Sequence, residues 1–428
     1  MNNSKTNTLI ISSSSIDTKS GIIAYDLHKA LSISHNSEII TLNSKTKEKN
    51  TFSYYSSFEI FVKRVLNKIK KTVLSSKIVK TNRDYYFFEV DLNLSRLNLR
   101  KFTRKINKPD VIIAYFTGNF YTITDLYKLQ KKYNSPVLLI MADMVHITGG
   151  CHYAWECEGY KNQCKNCPAF IDEKHQHLAS DNLKINKQLI EKMNISIIAG
   201  SSQDVASAKE STLFKNKKSY LISGIINTEM FKKNENITQL KRKYHINESD
   251  FLILFGATRI GEKRKGVKYF VDAIKYLEKI NPNTNITIVS IGNGDLNDIL
   301  PDTKFNILNL GFIHDYYQLA EIYNLSDVFV TTTIQDSGPM MINQSIACGT
   351  PVVCFDIGVA KDIVINGKTG YQAKLYDHIE IATNINSLVN LPVNDREKMS
   401  KQCITLAENN FSINATADVF TSIIKESL

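Results

Sequence analysis

Short apolar runs alternating with helix-length stretches constrain this chain more than any other feature. TLIISS, EIITL, DVIIAYF, PVLLIMA and ISIIAG fall in the first half, and FLILFGA, ITIVSIG, NILNLGF, DVFVTTT and PVVCFD in the second. Continuous β-branched and aliphatic runs, without polar alternation, mark strands buried on both faces, as in parallel sheets. Between them lie GIIAYDLHKALS, KGVKYFVDAIKYLEKI, YYQLAEIYNLS and PMMINQSIAC. Parallel neighbours need a crossover, usually a helix, so the repeated alternation predicts two doubly wound α/β domains. A length of 428 residues also exceeds one ordinary core. The polar stretch SGIINTEMFKKNENITQLKRKYHINESD (223–250) is the expected joint. Residues 1–225 then form the first domain, with a cysteine-rich loop at 148–170, and 226–405 the second. Residues 406–428 are expected to form a helix packing back towards the first.

Apolar content of 43% and charged content of 22% fit a soluble globular protein and exclude a disordered one. No run approaches the roughly 18 apolar residues of a membrane span. The apolar run Leu9 to Ile11 is short and lacks a basic flank, so the expected compartment is the cytoplasm, where structural disulfides are rare. A net charge of +11 implies an acidic partner. In FVKRVLNKIKKTVLSSKIVKTNR (61–83), Phe61, Val62, Val65, Ile69 and Val73 recur at near-helical spacing, with Lys63, Arg64, Lys68, Lys70 and Lys71 between them. That pattern suits an anionic membrane surface, and equally a solvated helix. RLNLRKFTRKINKPD (96–110) adds further positive charge. No helix-turn-helix, RNA-recognition or finger pattern accompanies the charge, which disfavours nucleic acid.

In TTTIQDSGPMMINQSIACGTPVV a strand runs through a loop into a helix. Ser337 is a natural N-cap, Pro339 suits the first turn, and Gly349 with Pro351 ends the helix. The amides of Gly338, Met340 and Met341 would then leave the sheet's carboxyl edge together with the positive end of the helix dipole, which binds phosphate. Asp336 can accept from sugar hydroxyls, and Gln344, one turn beyond Met340, shares its face. An ordinary βα unit reads the same way. FGATRIGEKRKGVKYF (255–270) follows a strand, turns at glycine and brings Arg259, Lys263, Arg264 and Lys265 to a helix start. Such cations suit a diphosphate, or form a solvated basic loop. Gly311, Phe312 and Ile313 can present an apolar, backbone-lined slot to a nucleotide base.

In this order, the Lys265-Gly266 turn, LGFIHD, DVFV, ACGTPVVCFDIG and NGKTGY resemble the retaining glycosyltransferases of family 4, group 1. The resemblance covers nearly the whole chain. It implies the GT-B architecture of two facing Rossmann-like domains, with retention at the anomeric carbon. It implies that Lys265 holds the donor diphosphate, with Arg259 or Arg264 standing in for the family's arginine. The family's first glutamate contacts the transferred sugar and its second the ribose; Asp336 and Gln344 occupy those places. Aspartate keeps the charge and shortens the reach by roughly 1.3–1.5 Å. Glutamine still offers an acceptor, at a cost of about 1–2 kcal/mol. No Asp-x-Asp motif is present, and no catalytic metal is expected.

MADMVHITGGCHYAWECEGYKNQCKNCPAF (141–170) resembles a subgroup with a TGGCHY segment and four cysteines, often found in capsule, O-antigen or exopolysaccharide clusters. Many of those relatives carry His-Asp where this chain has Ala142-Asp143. Asp143 is the candidate for orienting the acceptor hydroxyl or acting as its base, with His146 and His152 as substitutes. The same residues also read as a loop-capping carboxylate and structural imidazoles. Relatives carry a Gly-Gly pair beside the donor phosphate where this chain keeps only Gly21; a plain strand-to-helix turn reads the same way. Cys151, Cys157, Cys164 and Cys167 suit a closed structural zinc site, free buried thiols, or a redox role. Cys348, Cys354 and Cys403 read as core residues.

The implied activity is transfer of a sugar from a nucleotide-diphosphate sugar to a glycan or lipid-linked acceptor, in surface polysaccharide synthesis. A cytoplasmic place, or one on the inner membrane face, would follow. Two other classes stay open: a non-catalytic sugar-nucleotide-binding partner of another transferase, and a zinc-containing nucleic-acid binder.

Overall fold

The computed structural model describes residues 5–46, 48–63, 65, 79–87, 94–115, 117–118, 120–338 and 340–428. Pro339 and most of the basic run, including Arg64, Lys68, Ile69, Lys70, Lys71 and Val73, lie outside the described residues. The chain forms two compact units. One comprises Met1–Gly200, Asp204–Ile225 and Thr416–Leu428, the other Ser201–Gln203 and Ile226–Ala415.

The first unit holds β1 (Asn7–Ser12), β2 (Asn36–Thr41), β3 (Thr51–Ser53), β4 (Val111–Tyr115), β5 (Val137–Met141), β6 (Ile195–Ala199) and β7 (Ser219–Leu221). Their order is β3-β2-β1-β4-β5-β6-β7, and every pairing is parallel. The second unit holds β8 (Phe251–Arg259), β9 (Ile286–Asn293), β10 (Asn306–Asn309), β11 (Val328–Thr331), β12 (Val352–Phe355) and β13 (Gly370–Ala373). Their order is β10-β9-β8-β11-β12-β13, again all parallel.

Every residue of β4, β6, β11 and β12 is buried, as their unbroken apolar runs require. All ten apolar runs form strands. The sequence pattern missed β3, β7 and β13, whose segments TFS, SYL and GYQA are three or four residues long and lie at sheet edges. Such segments become strands by pairing with a neighbour, not by their own apolar content.

In each sheet the strand order reverses once, between β1 and β4 and between β8 and β11. The crevice outside the carboxyl ends at such a reversal is where open α/β sheets bind ligands. The last helix, Ile413–Ser427, contributes most of its length to the first unit. There His35 Nε2 lies 3.0 Å from Thr421 Oγ1, and Lys218 pairs with Glu426 at 2.7 Å. No helix among the described residues is long and apolar enough to cross a membrane.

Candidate functional site

In the second unit the reversal is built from the loops after β8 and β11. Gly266 has φ +61° and joins the short turn Lys263–Lys265 to the helix Val267–Ile280. A Cβ there would stand 2.0 Å from the Thr332 carbonyl oxygen, so only glycine permits both the left-handed turn and the close approach. Thr332 Oγ1 donates to the Gly266 carbonyl at 2.9 Å, and the Ile334 amide donates to the Arg264 carbonyl at 2.8 Å.

These bonds bring Arg264 and Lys265 onto Asp336. Arg264 Nη1 lies 2.5 Å and Lys265 Nζ 2.7 Å from the same oxygen, Asp336 Oδ2. Arg264 Nε also meets Glu262 at 2.5 Å, so two cations and two carboxylates form one group. The side chains of Asp336, Arg264 and Lys265 are only 12–14% exposed. Burial alone would raise the Asp336 pKa; the neighbouring Lys265 and Arg264 charges hold it below the ordinary carboxylate value.

The other residues singled out in the sequence divide around this group. The Gly338 amide, expected to be open to a ligand, donates to Asp336 Oδ1 at 3.3 Å. Ser337 is buried, and Met340 and Met341, in the helix Met340–Ala347, pack against the core. Gln344 is buried and its Oε1 accepts from the Tyr323 hydroxyl at 3.0 Å, so one of its acceptor lone pairs is committed inside the fold. Phe312 is half-buried against His314, whereas Ile313 is a core residue. Arg259 belongs to the end of β8 and is exposed; Arg264, not Arg259, pairs with Asp336. Sequence reasoning missed Tyr323 and Glu262, which nothing in their local pattern distinguishes from surface-helix and loop residues.

The first unit gathers a different set. Gly21 lies in the first turn of the helix Lys19–Ser34, where its amide donates to Thr18 Oγ1 at 3.1 Å. A Cβ there would fall 1.7 Å from the Ser15 carbonyl oxygen, so close approach demands glycine and the cap occupies its amide. Asp143 follows β5 and caps the turn Met144–His146, accepting from the Val145 amide at 2.9 Å. Its other oxygen stands 2.8 Å from His152 Nδ1, with both side chains mostly buried. Burial would raise the Asp143 pKa, and His152 above all holds it below the ordinary value. Burial, aided by the Asp143 charge, raises the Tyr115 phenol. His146 is buried. Cys151, Cys157, Cys164 and Cys167 are free and line one cavity of about 10 Å³.

The second-unit group offers an arginine and a lysine beside a carboxylate, which suits a diphosphate and an adjoining hydroxyl. The Asp143–His152 pair suits an acceptor hydroxyl that must be oriented or relieved of a proton.

Residues 236–405 match the family described as Glycosyl transferases group 1. A UDP-Gal:alpha-D-GlcNAc-diphosphoundecaprenol alpha-1,3-galactosyltransferase of Escherichia coli is 29% identical over 162 residues, 35% of this chain and 39% of that protein. The chain spans only 33% to 46% of the length of the curated relatives it matches first. A solved sucrose-phosphate synthase (tll1590) from Thermosynechococcus elongatus is similar over 99% of both chains, with TM-score 0.67 and 16% identity. Anabaena Alr3699/HepE in complex with UDP-glucose is similar over 97% of this chain and 99% of that one, with TM-score 0.60 and 14% identity. At such identities the likeness shows the fold, which is GT-B, built from two Rossmann-like parallel-sheet domains.

Proposed function

We propose that this chain is a retaining group 1 glycosyltransferase of the hexosyltransferase class and of the TGGCHY subgroup. It moves a sugar from a nucleotide-diphosphate sugar to a glycan or lipid-linked acceptor in surface polysaccharide synthesis. The observation that carries the reading is the convergence of Arg264 and Lys265 on Asp336 at the β8–β11 reversal. The match of residues 236–405 to a transferase family supports it, as do a relative named for a UDP-Gal donor and a similar structure holding UDP-glucose.

As the bond from the anomeric carbon to the diphosphate breaks, negative charge grows on the leaving group. Arg264 and Lys265 then act more strongly on the transition state than on the bound donor. They are occupied by carboxylates before the donor arrives, so the diphosphate takes over from Asp336. The released Asp336 is free to accept from the sugar's hydroxyls. Asp143 and His152 serve the acceptor hydroxyl. The reaction as drawn calls for no catalytic metal and no nucleic acid. Phe58 and Phe61 are 73% and 63% exposed, with Val62 and Val65 also exposed, and offer an apolar edge for a peripheral place on the inner, anionic membrane face.

The test is a panel of UDP-, GDP-, TDP- and CMP-sugars, scored by thermal shift and then by NMR for slow donor hydrolysis. One donor should stabilise the chain and be hydrolysed, with hydrolysis lost in Asp336→Ala. Binding without hydrolysis, even with lipid-linked acceptor present, would make the chain a sugar-nucleotide-binding partner instead. Failure to bind any donor would overturn the reading.

A further inference from the structure

The four cysteines of the segment 151–167 do nothing in the chemistry above, yet the fold brings them together. All four line one cavity of about 10 Å³, roughly the size that admits a single water-sized sphere. The Gly159 amide donates to Cys157 Sγ at 3.4 Å. An amide aimed at sulfur favours the thiolate, as the hydrogen bonds around metal-bound cysteines do. Lys165, which also lines the cavity, supplies positive charge beside what would be an anionic cluster. Cys164 and Asn166 hold left-handed backbone, with φ +51° and +52°, so the Cys164–Cys167 turn bends tightly. As they stand, no three His, Cys, Asp or Glu side chains among the described residues form a ready metal-holding arrangement.

We infer that Cys151, Cys157, Cys164 and Cys167 take up one zinc-class divalent cation as a tetrathiolate site, the sulfurs turning inward as they lose their protons. Zinc–sulfur bonds of about 2.3 Å would draw the sulfurs to about 3.8 Å from one another, which asks for side-chain rotation about the cavity. The site also has a place in the architecture. Cys151 directly precedes His152, whose amide donates to the Tyr85 carbonyl at 3.0 Å and whose ring meets Asp143 at 2.8 Å. The Asn82 amide donates to the Ala169 carbonyl at 2.8 Å, and the Thr212 amide to the Tyr160 carbonyl at 3.0 Å. A cation at the cavity would therefore fasten the segment carrying His152 to its surroundings. Whether it is present does not depend on what the chain transfers.

The full chain is purified without chelator and its metal is measured by plasma mass spectrometry. About one zinc per chain is expected, released by a mercurial that titrates about four thiols. Cobalt exchanged into the protein should give the charge-transfer bands of a tetrahedral tetrathiolate. Cys164→Ser and Cys167→Ser should lose the metal, while Cys403→Ser, in the other unit, keeps it. If the serine variants fail to fold, the cobalt spectrum of the unaltered chain decides. Zinc content below about a tenth per chain after incubation with zinc, with cysteines reacting equally fast with and without it, overturns the inference. So does a cobalt spectrum lacking thiolate bands.

Discussion

At the carboxyl ends of β8 and β11 one aspartate oxygen holds an arginine and a lysine, whereas after β5 the aspartate is held by a histidine and a backbone amide. Arg264 is always charged and Lys265 stands beside it, so a polyanion that displaces Asp336 finds both side chains still in place. His152 is charged only when protonated, so the pair around Asp143 can orient a hydroxyl but offers no lasting seat for a diphosphate. The same residue type, at the carboxyl ends of two similar sheets, thus sits in two different electrostatic settings.

The comparison breaks most visibly at Lys265. Lys265→Ala should lower kcat/KM by about 10²–10³-fold, the scale of losing one transition-state charge donor, with UDP affinity falling alongside. Initial rates and calorimetry check this, and a variant with unchanged UDP binding would remove Lys265 from the donor site. Asp336→Asn should separate the two roles of the carboxylate. With its internal competitor gone, UDP should bind about tenfold more tightly, while turnover falls by about 10²-fold. The same variant tests the acid behaviour of the fold. Burial opposes the Asp336 charge, yet Lys265 and Arg264 hold its pKa below the ordinary value. Its ionised form therefore stabilises the chain above about pH 4 and loses that contribution as pH falls through the lowered folded value. Acid melts should show a shallower decline for Asp336→Asn than for the unaltered chain.

His152→Gln sharpens the other half of the comparison. Turnover should drop about 10-fold or more, and UDP affinity should stay within about twofold, if the pair serves the acceptor hydroxyl as proposed. A parallel loss of UDP binding would merge the two sites into one. The smallest effect is expected at Tyr323. Tyr323→Phe frees the Gln344 oxygen, and UDP affinity should change by about two- to threefold, the scale of a fraction of one neutral hydrogen bond.

The central strands were legible because burial on both faces writes itself into runs such as DVIIAYF and PVVCFD. The edge strands TFS, SYL and GYQA carry no such run, since an edge strand is defined by its neighbour. The Lys265-Gly266 turn was legible through its cations and glycine. Its pairing with Asp336 was not, because the partners are 71 residues apart in sequence and meet only where β8 lies beside β11. The commitment of the Gln344 oxygen to Tyr323 was hidden for the same reason. The amide of Gly338 reads as open from the sequence, yet Asp336 caps it, as Thr18 caps that of Gly21. Short polar residues near a helix start compete with any ligand for its amides, and the letters alone do not say which prevails.

The first unit is interrupted in sequence: its last piece, Thr416–Leu428, follows the whole of Ile226–Ala415. A ribosome adding about 5–20 residues per second needs roughly 10–40 s to travel from the end of the second piece to the end of the chain. During that interval His35 and Lys218 wait for Thr421 and Glu426, which have not yet been made. The second unit has all of its residues earlier, so the part of the protein synthesised first is the part that can finish folding last.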